Sequence, residues 1–229
     1  MKHIKNIAII PARKGSVRIK NKNLKDFLGK PIIFYSIKIL QKTKIFDLIV
    51  ISTNCDKIEN VAKKYGVKMV IRRPDSISNN KTGTIGVIKH SIQHLQKKKI
   101  FPKFICCMYP ASPLTSYKDI QFSYDLIKKK LFKFIFPSTS LTKTKKINTK
   151  KSIIKIKKIK KKGGIRIIND IYRDSGQFYY ASINTWKNSK TVFLKKSLTF
   201  LIKDKVSDIN TINDWNTVKK IFIKKKLKI

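Results

Sequence analysis

A chain of 229 residues with 41% apolar content can bury one sizeable hydrophobic core, or one core with a small appendage, but is short for two full domains. No run of about 18 apolar residues is present to span a membrane, and the polar start, residues 1 to 6, lacks the apolar stretch and cleavage site of a secretory signal, so a cytoplasmic location is expected. The formal charge of +42 invites a nucleic-acid partner, yet lysine scattered over the whole chain carries it, whereas specific nucleic-acid surfaces recruit the bidentate guanidinium.

Residues 7 to 12, IAIIPA, form an apolar run without clean alternation, the pattern of a strand buried on both faces. Residues 13 to 23 make a loop, and Pro31 then starts a helix with Ile32, Ile33, Ile37 and Leu40 on its apolar stripe. A second strand covers 48 to 52, a helix over 56 to 65 closes at Gly66, and a third strand covers 67 to 71. Strand, helix, strand, helix, strand within about 70 residues is the doubly wound α/β pattern.

Residues 82 to 95 read as another helix and 104 to 109 as another central strand, broken by Pro110 and Pro113 where a strand's C-terminal end opens onto a crevice. A helix over 117 to 129 and a strand-like segment over 132 to 137 follow. Residues 141 to 164 change character, with almost no aromatic or acidic content. Alternating Ile and Lys over 152 to 159 fits a half-exposed hairpin strand; a disordered lysine-rich loop and an excursion packed on a partner subunit are the other readings. The core resumes at 177 to 181, and 215 to 223 is a last amphipathic helix before a basic tail. The expected fold is therefore a single α/β domain over 1 to 229, with a doubly wound, mostly parallel sheet and a small excursion at 141 to 164.

The loop after the first strand, PARKGSVRIKNKN, carries the first chemistry. Gly15 and Ser16 permit a tight turn, and Arg13, Arg18, Lys20 and Lys22 gather cations at one strand end, an arrangement that can offer backbone N–H groups and charge to a triphosphate. It is neither GxxxxGK[ST] nor GxGxxG. In a chain this rich in lysine a basic loop alone says little, but two of the six arginines fall here, so guanidinium geometry matters at this position.

With these residues in view, IAIIPARKGSVRIKNKNLKDFLGKPIIFYSI resembles the start of the cytidylyltransferases that activate eight- and nine-carbon acidic sugars, the CMP-sialic acid synthetase family. The resemblance continues in RRPDSISNNKTGT (72 to 84), CCMYPASPLT (106 to 115), DSGQFYY (174 to 180) and SDINTINDW (207 to 215), and covers nearly the whole chain apart from 141 to 164. Within the family, CCMY followed by ASPL and the SGQFY block look most like the branch that acts on pseudaminic acid, with neuraminic and legionaminic acid as the alternatives.

The resemblance implies a nucleotide-diphospho-sugar transferase type of fold, usually dimeric, that joins CTP to the anomeric hydroxyl of a sugar acid and releases pyrophosphate with Mg²⁺ as cofactor. It makes Arg13 and Lys22 the groups that hold the phosphates and offset charge on the leaving pyrophosphate, as such a transfer requires. Ser16 and the amides around Gly15 would cradle the triphosphate, and Ala12 and Asn23 would bound the nucleotide end. Tyr109, Ser112, Asp174, Gln177, Phe178 and Tyr179 become candidates for the sugar side, with Ser112 and Gln177 as hydrogen-bonding groups and the aromatics as pocket walls. Arg166 and Arg173 are candidate partners of the substrate carboxylate.

For the metal, Asp208 and Asn210 project to one side of an extended segment and can share a hard cation. The family pattern is DIDT with two aspartates, whereas this chain has DINT, so one negative charge is missing. Asn79 and Asn80 likewise stand where relatives often carry aspartate. Asp214, just before Trp215, reads as first-turn helix charge or capping.

Other clusters carry less. Adjacent Cys106 and Cys107 in an apolar run, with Cys55 alone, read as small buried hydrophobes. His90 and His94 share a helix face without the glutamate of HExxH and read as a solvent-facing pair. Lys, Ile and Asn are residues of A/T-rich codons, so the charge reads as compositional drift, with incidental salt-sensitive sticking to RNA or DNA and no specific nucleic-acid partner expected. A basic, non-enzymatic RNA-binding protein is the rival from another class.

Overall fold

A computed structural model describes residues 4–79, 81–140, 172–202 and 208–227. The excursion at 141 to 164, Arg166 and Asn80 lie outside the described residues. Among those described, eight strands form one sheet: β1 (Asn6–Pro11), β4 (Leu48–Thr53), β5 (Met69–Arg72), β6 (Phe104–Met108), β7 (Phe134–Ser140), β8 (Tyr172–Asp174), β9 (Phe178–Ser182) and β10 (Leu198–Leu201). β2 (Asp26–Phe27) and β3 (Lys30–Pro31) make a separate two-stranded ribbon. The order along the sheet is β10-β7-β9-β6-β1-β4-β5, with β8 paired to β7. β1 runs parallel to β4 and β6, β4 to β5, and β10 to β7. β9 enters antiparallel between β6 and β7.

Alternation along β1 explains the double winding. Ala8 and Ile10 point to one face and join α1 (Ile32–Thr43), α2 (Asp56–Lys64) and α4 (Tyr117–Lys128) through Ile33, Ile37, Ile58, Ala62 and Ile120. Ile7 and Ile9 point to the other and meet α3 (Thr84–Lys97) and α5 (Ile183–Asn188) through Ile88, Ile92 and Trp186. Cys106 and Cys107 fall into these opposite cores, both fully buried, and burial pushes both thiols up in pKa, as inert packing groups require.

A third cluster builds the roof of the site. α6 (Ile212–Lys224) lays Trp215, Val218 and Phe222 against Phe27, Ile32 and Tyr35, and Ile19 of the basic loop is buried in the same cluster. The ring of Phe27 meets Tyr35, Trp215 and Phe222 edge-on, with centroids 5.2, 5.5 and 5.6 Å away. The last helix and the first loop are thereby clamped together. His90 and His94 differ from expectation: they are half-buried, each with a ring nitrogen enclosed without a partner, and burial followed by neighbouring positive charge lowers both pKa values.

Candidate active site

At the C-terminal end of β1 the chain leaves the sheet through Ala12, whose N–H donates to Ser52 O at 2.9 Å and extends the parallel ladder by one step. Gly15 turns the loop at φ +82°, where a side chain is disfavoured. The Lys14 N–H donates to Asn54 Oδ1 at 2.9 Å, and Asn23 Nδ2 donates to Arg13 O at 3.1 Å. Asn21 takes a left-handed conformation before the 3-10 turn Lys22–Leu24, and the Lys22 N–H closes on Ile19 O. The loop is therefore held from both sides by buried or bonded groups. Its cations extend over a cleft of about 350 Å³.

Arg13, Ser16, Arg18, Lys22 and Asn23 line this cleft on one side, with Asp208, Asn210 and Gly176 on another and Tyr109, Thr84 and Arg73 at its wall. Asp208 and Asn210 line the cleft, as does the buried Ile209 between them. Lys22 ties the two sides together: its Nζ donates to Ile209 O at 2.7 Å. Burial lowers its pKa, with Arg18 and Arg13 adding to that and Asp208 opposing. Asp208 moves the other way, to about 7, through burial and then the nearby Asp174, against Lys22, Arg173 and Arg18.

A small cavity of about 20 Å³ adjoins the cleft and shares Ala111, Gly176, Asp208 and Ile209 with it. Ser112 and Gln177 line it, both nearly buried, and Thr115 Oγ1 donates to Gln177 Oε1 at 3.1 Å. Tyr109 and Tyr179 pack edge-on at 5.9 Å, the Tyr109 hydroxyl bonds Thr84 Oγ1, and the Tyr179 hydroxyl donates to Asp174.

Five residues singled out in the sequence are placed differently from expectation. Ala12 is fully buried below the cleft and Gly15 shapes the loop from behind it. Phe178 is fully buried in the helix-side core, because the two-residue period of β9 turns it away from the face that Tyr179 takes. Arg173 is exposed, and Asn79 spends its Oδ1 on the N–H groups of Lys81 and Thr82 in a turn at the cleft's edge.

Arg73 is the residue that sequence reasoning missed. Its Nε donates to Ser78 Oγ at 3.0 Å, its Nη2 is buried without a partner, and it lines the cleft. Burial, followed by the charge of Arg13, lowers its pKa to about 10. The available signal was arginine scarcity: the doublet at 72 and 73 holds two of six, but Arg72 is used on Asp56 and Glu59 at the surface.

For a hard divalent cation, the oxygens of Asp208 and Asn210 are the right donor type. Gly176 provides the room, since a Cβ there would collide with the Asp208 carboxylate. Among the described residues no three His, Cys, Asp or Glu side chains form a metal-holding group.

A doubly wound sheet that delivers a basic loop and the carboxylate of Asp208 to one cleft has the fold of the nucleotide-diphospho-sugar transferases. The sequence pattern described as Cytidylyltransferase matches residues 7–199, and the chain belongs to the cytidylyltransferase family. It is 31% identical over 214 residues to a pseudaminic acid cytidylyltransferase of Campylobacter jejuni, covering 91% of this chain and 92% of that protein. It is 26% identical to a Helicobacter pylori protein that joins a pseudaminic acid cytidylyltransferase to a hydrolase, covering 89% of this chain and 40% of that one. Among solved structures, a CMP:2-keto-3-deoxy-manno-octonic acid synthetase complexed with CTP superposes with a TM-score of 0.71 at 14% identity, covering 96% of this chain and 99% of that one. Among the described residues no helix is long and apolar enough to cross a membrane.

Proposed function

We propose that the chain transfers CMP from CTP to the anomeric hydroxyl of a nonulosonic acid, with pseudaminic acid as the substrate, and releases pyrophosphate. The observation that carries this reading is the pairing of a buttressed Arg13–Lys22 loop with Asp208 across one cleft, in a chain similar along nearly its whole length to a pseudaminic acid enzyme. The sugar oxygen forms a bond to the α-phosphorus, the bond from that phosphorus to the oxygen bridging to the β-phosphate breaks, and the proton of the anomeric hydroxyl is released to water. Negative charge grows on the departing pyrophosphate, where preorganised cations act most strongly.

Arg13 and Lys22 hold the phosphates, the Ser16 hydroxyl donates to them, and Asn23 braces the loop by its bond to the Arg13 carbonyl. Arg73 donates its unpartnered Nη2 to an acceptor on the nucleotide. Ser112 and Gln177 address the sugar acid from the small cavity, and Tyr109, packed edge-on against Tyr179, walls the adjoining cleft. Asp208 and Asn210 would hold Mg²⁺, which when bound offsets phosphate charge.

Pyrophosphate release from CTP and Mg²⁺ with a panel of nonulosonic acids tests the reading. Turnover of pseudaminic acid above the neuraminic and legionaminic acids is expected. Folded protein that turns over none of them refutes it. The chain is further proposed to act as a homodimer through residues 141 to 164, and sedimentation of a deletion of that segment should then report a monomer.

A further inference from the structure

The turn at residues 174 to 177 stands between the cleft and the small cavity. Gly176 and Asp208 line both spaces, and they meet at the boundary. Gly176 has φ +58°, and the Asp208 carboxylate lies against its backbone in the place a Cβ would take.

The turn itself is tied on several sides. The Ser175 N–H and Oγ both donate to Pro137 O of β7, at 3.2 and 2.9 Å. The Gln177 carbonyl accepts from the Tyr109 N–H at 2.9 Å, just past the end of β6. The Gly176 N–H donates to Asp174 Oδ1 at 3.0 Å, and the Tyr179 hydroxyl donates to Asp174 Oδ2, so one carboxylate braces the turn from within. Asp174 lines neither space and reaches the site only through Gly176. A Cβ at 176 could not share its place with the Asp208 carboxylate, and with the backbone on both sides bonded, Asp208 is the part that would move.

We propose that Gly176 and Asp174 are positioning residues for Asp208: the bare backbone of Gly176 seats the carboxylate at the boundary of the two cavities, and Asp174 holds that seat in place. This role rests on the proposed function, in which Asp208 serves the nucleotide. It fixes positions 174 and 176 and leaves Gln177 to answer to the sugar acid.

Two comparisons separate the seat from the strain of a side chain at positive φ. Asn enters the left-handed region more readily than Ala, so Gly176→Asn and Gly176→Ala differ in strain while adding the same Cβ. Pyrophosphate release with saturating CTP, Mg²⁺ and pseudaminic acid should fall about 100-fold in both, the scale of a group misplaced by about 1 Å. Melting in EDTA without substrate gives a second readout. Gly176→Ala should lower the melting temperature of native protein, and lower that of Asp208→Ala protein much less, because Asp208→Ala empties the seat. Asp174→Ala should slow turnover by about tenfold or more, the scale for a partner that orients a ligating group. Asp174→Asn keeps an oxygen for the Gly176 N–H and should recover most of that loss.

Native-like turnover in Gly176→Asn assigns the effect to backbone strain and overturns the proposal. So does an equal fall in melting temperature in the two backgrounds, or Gly176→Ala protein that folds in neither. Asp174→Asn as slow as Asp174→Ala makes charge the relevant property and removes Asp174 from holding the seat. Native protein that turns over no nonulosonic acid overturns the proposed function, and the melting comparison still decides whether Gly176 seats Asp208.

Discussion

Arg13 and Arg73 reach the cleft from the ends of two different strands, and burial followed by the charge of Arg13 lowers the pKa of Arg73. Such pairs are useful where negative charge arrives with the substrate. Arg13→Ala should lower turnover about 100-fold or more, the scale of losing one preorganised charge-stabilising donor. Lys68→Ala, at an exposed position, is the reference, and equal rates for the two variants would remove Arg13 from phosphate binding. Asp208 allows a test without substrate. Its carboxyl, raised from 3.8 to about 7 by burial and then by Asp174, takes up a proton on folding. The stability this contributes is complete below pH 3.8 and is lost as pH rises through about 7. In EDTA, Asp208→Asn should therefore melt above native protein at about pH 8, with the gap closing toward about pH 5. A gap that does not change with pH would contradict the assignment.

The element that matters most is the junction between residues 208 to 210 and α6. Thr211 and Asp214 make a capping box: the Asp214 N–H donates to Thr211 Oγ1 at 3.2 Å, and Asp214 Oδ2 accepts from the N–H groups of Thr211 and Asn210 at 2.7 and 2.9 Å. Burial pushes the Asp214 carboxyl up, but these bonds outweigh it and hold its pKa below the ordinary value. Asp214→Ala should lower the unfolding free energy by about 1 kcal/mol, read by denaturant titration. Because the same carboxylate holds the Asn210 backbone, it should also raise the Mg²⁺ concentration needed for half-maximal turnover. An unchanged Mg²⁺ requirement would confine Asp214 to the helix.

Legibility in the sequence followed the strength of local patterning. β1, α1, β4 and α2 were readable because a buried run, a proline and a closing glycine each leave a local mark. β8, β10 and α5 were not, since three to six residues carry no period that tertiary packing cannot supply. In the site, the Arg13 loop stood out through arginine scarcity, and Asp208 through its spacing to Asn210. Phe178 misled because neighbours in a strand face opposite ways, and Gly176 gave no sign that a carboxylate from 32 positions later would lie upon it.

At the scale of the molecule, 54 basic residues against 12 acidic ones make self-repulsion a term in stability. Raising NaCl from about 0.02 to about 0.2 M shortens the screening length by about threefold and should raise the melting temperature while dissociating bound RNA. Retention of RNA in high salt, with sequence preference, would revive a nucleic-acid role. The backward course of β9 has a different consequence. It brings residues 174 to 177 to the same sheet end as the turns after β1 and β6, while the CTP-directed loop comes from the parallel half. On the proposed assignment, nucleotide and sugar acid answer to separate stretches of chain. Selection can therefore retune the acceptor through two short segments, 109 to 115 and 174 to 179, and leave the grip on the donor inherited intact.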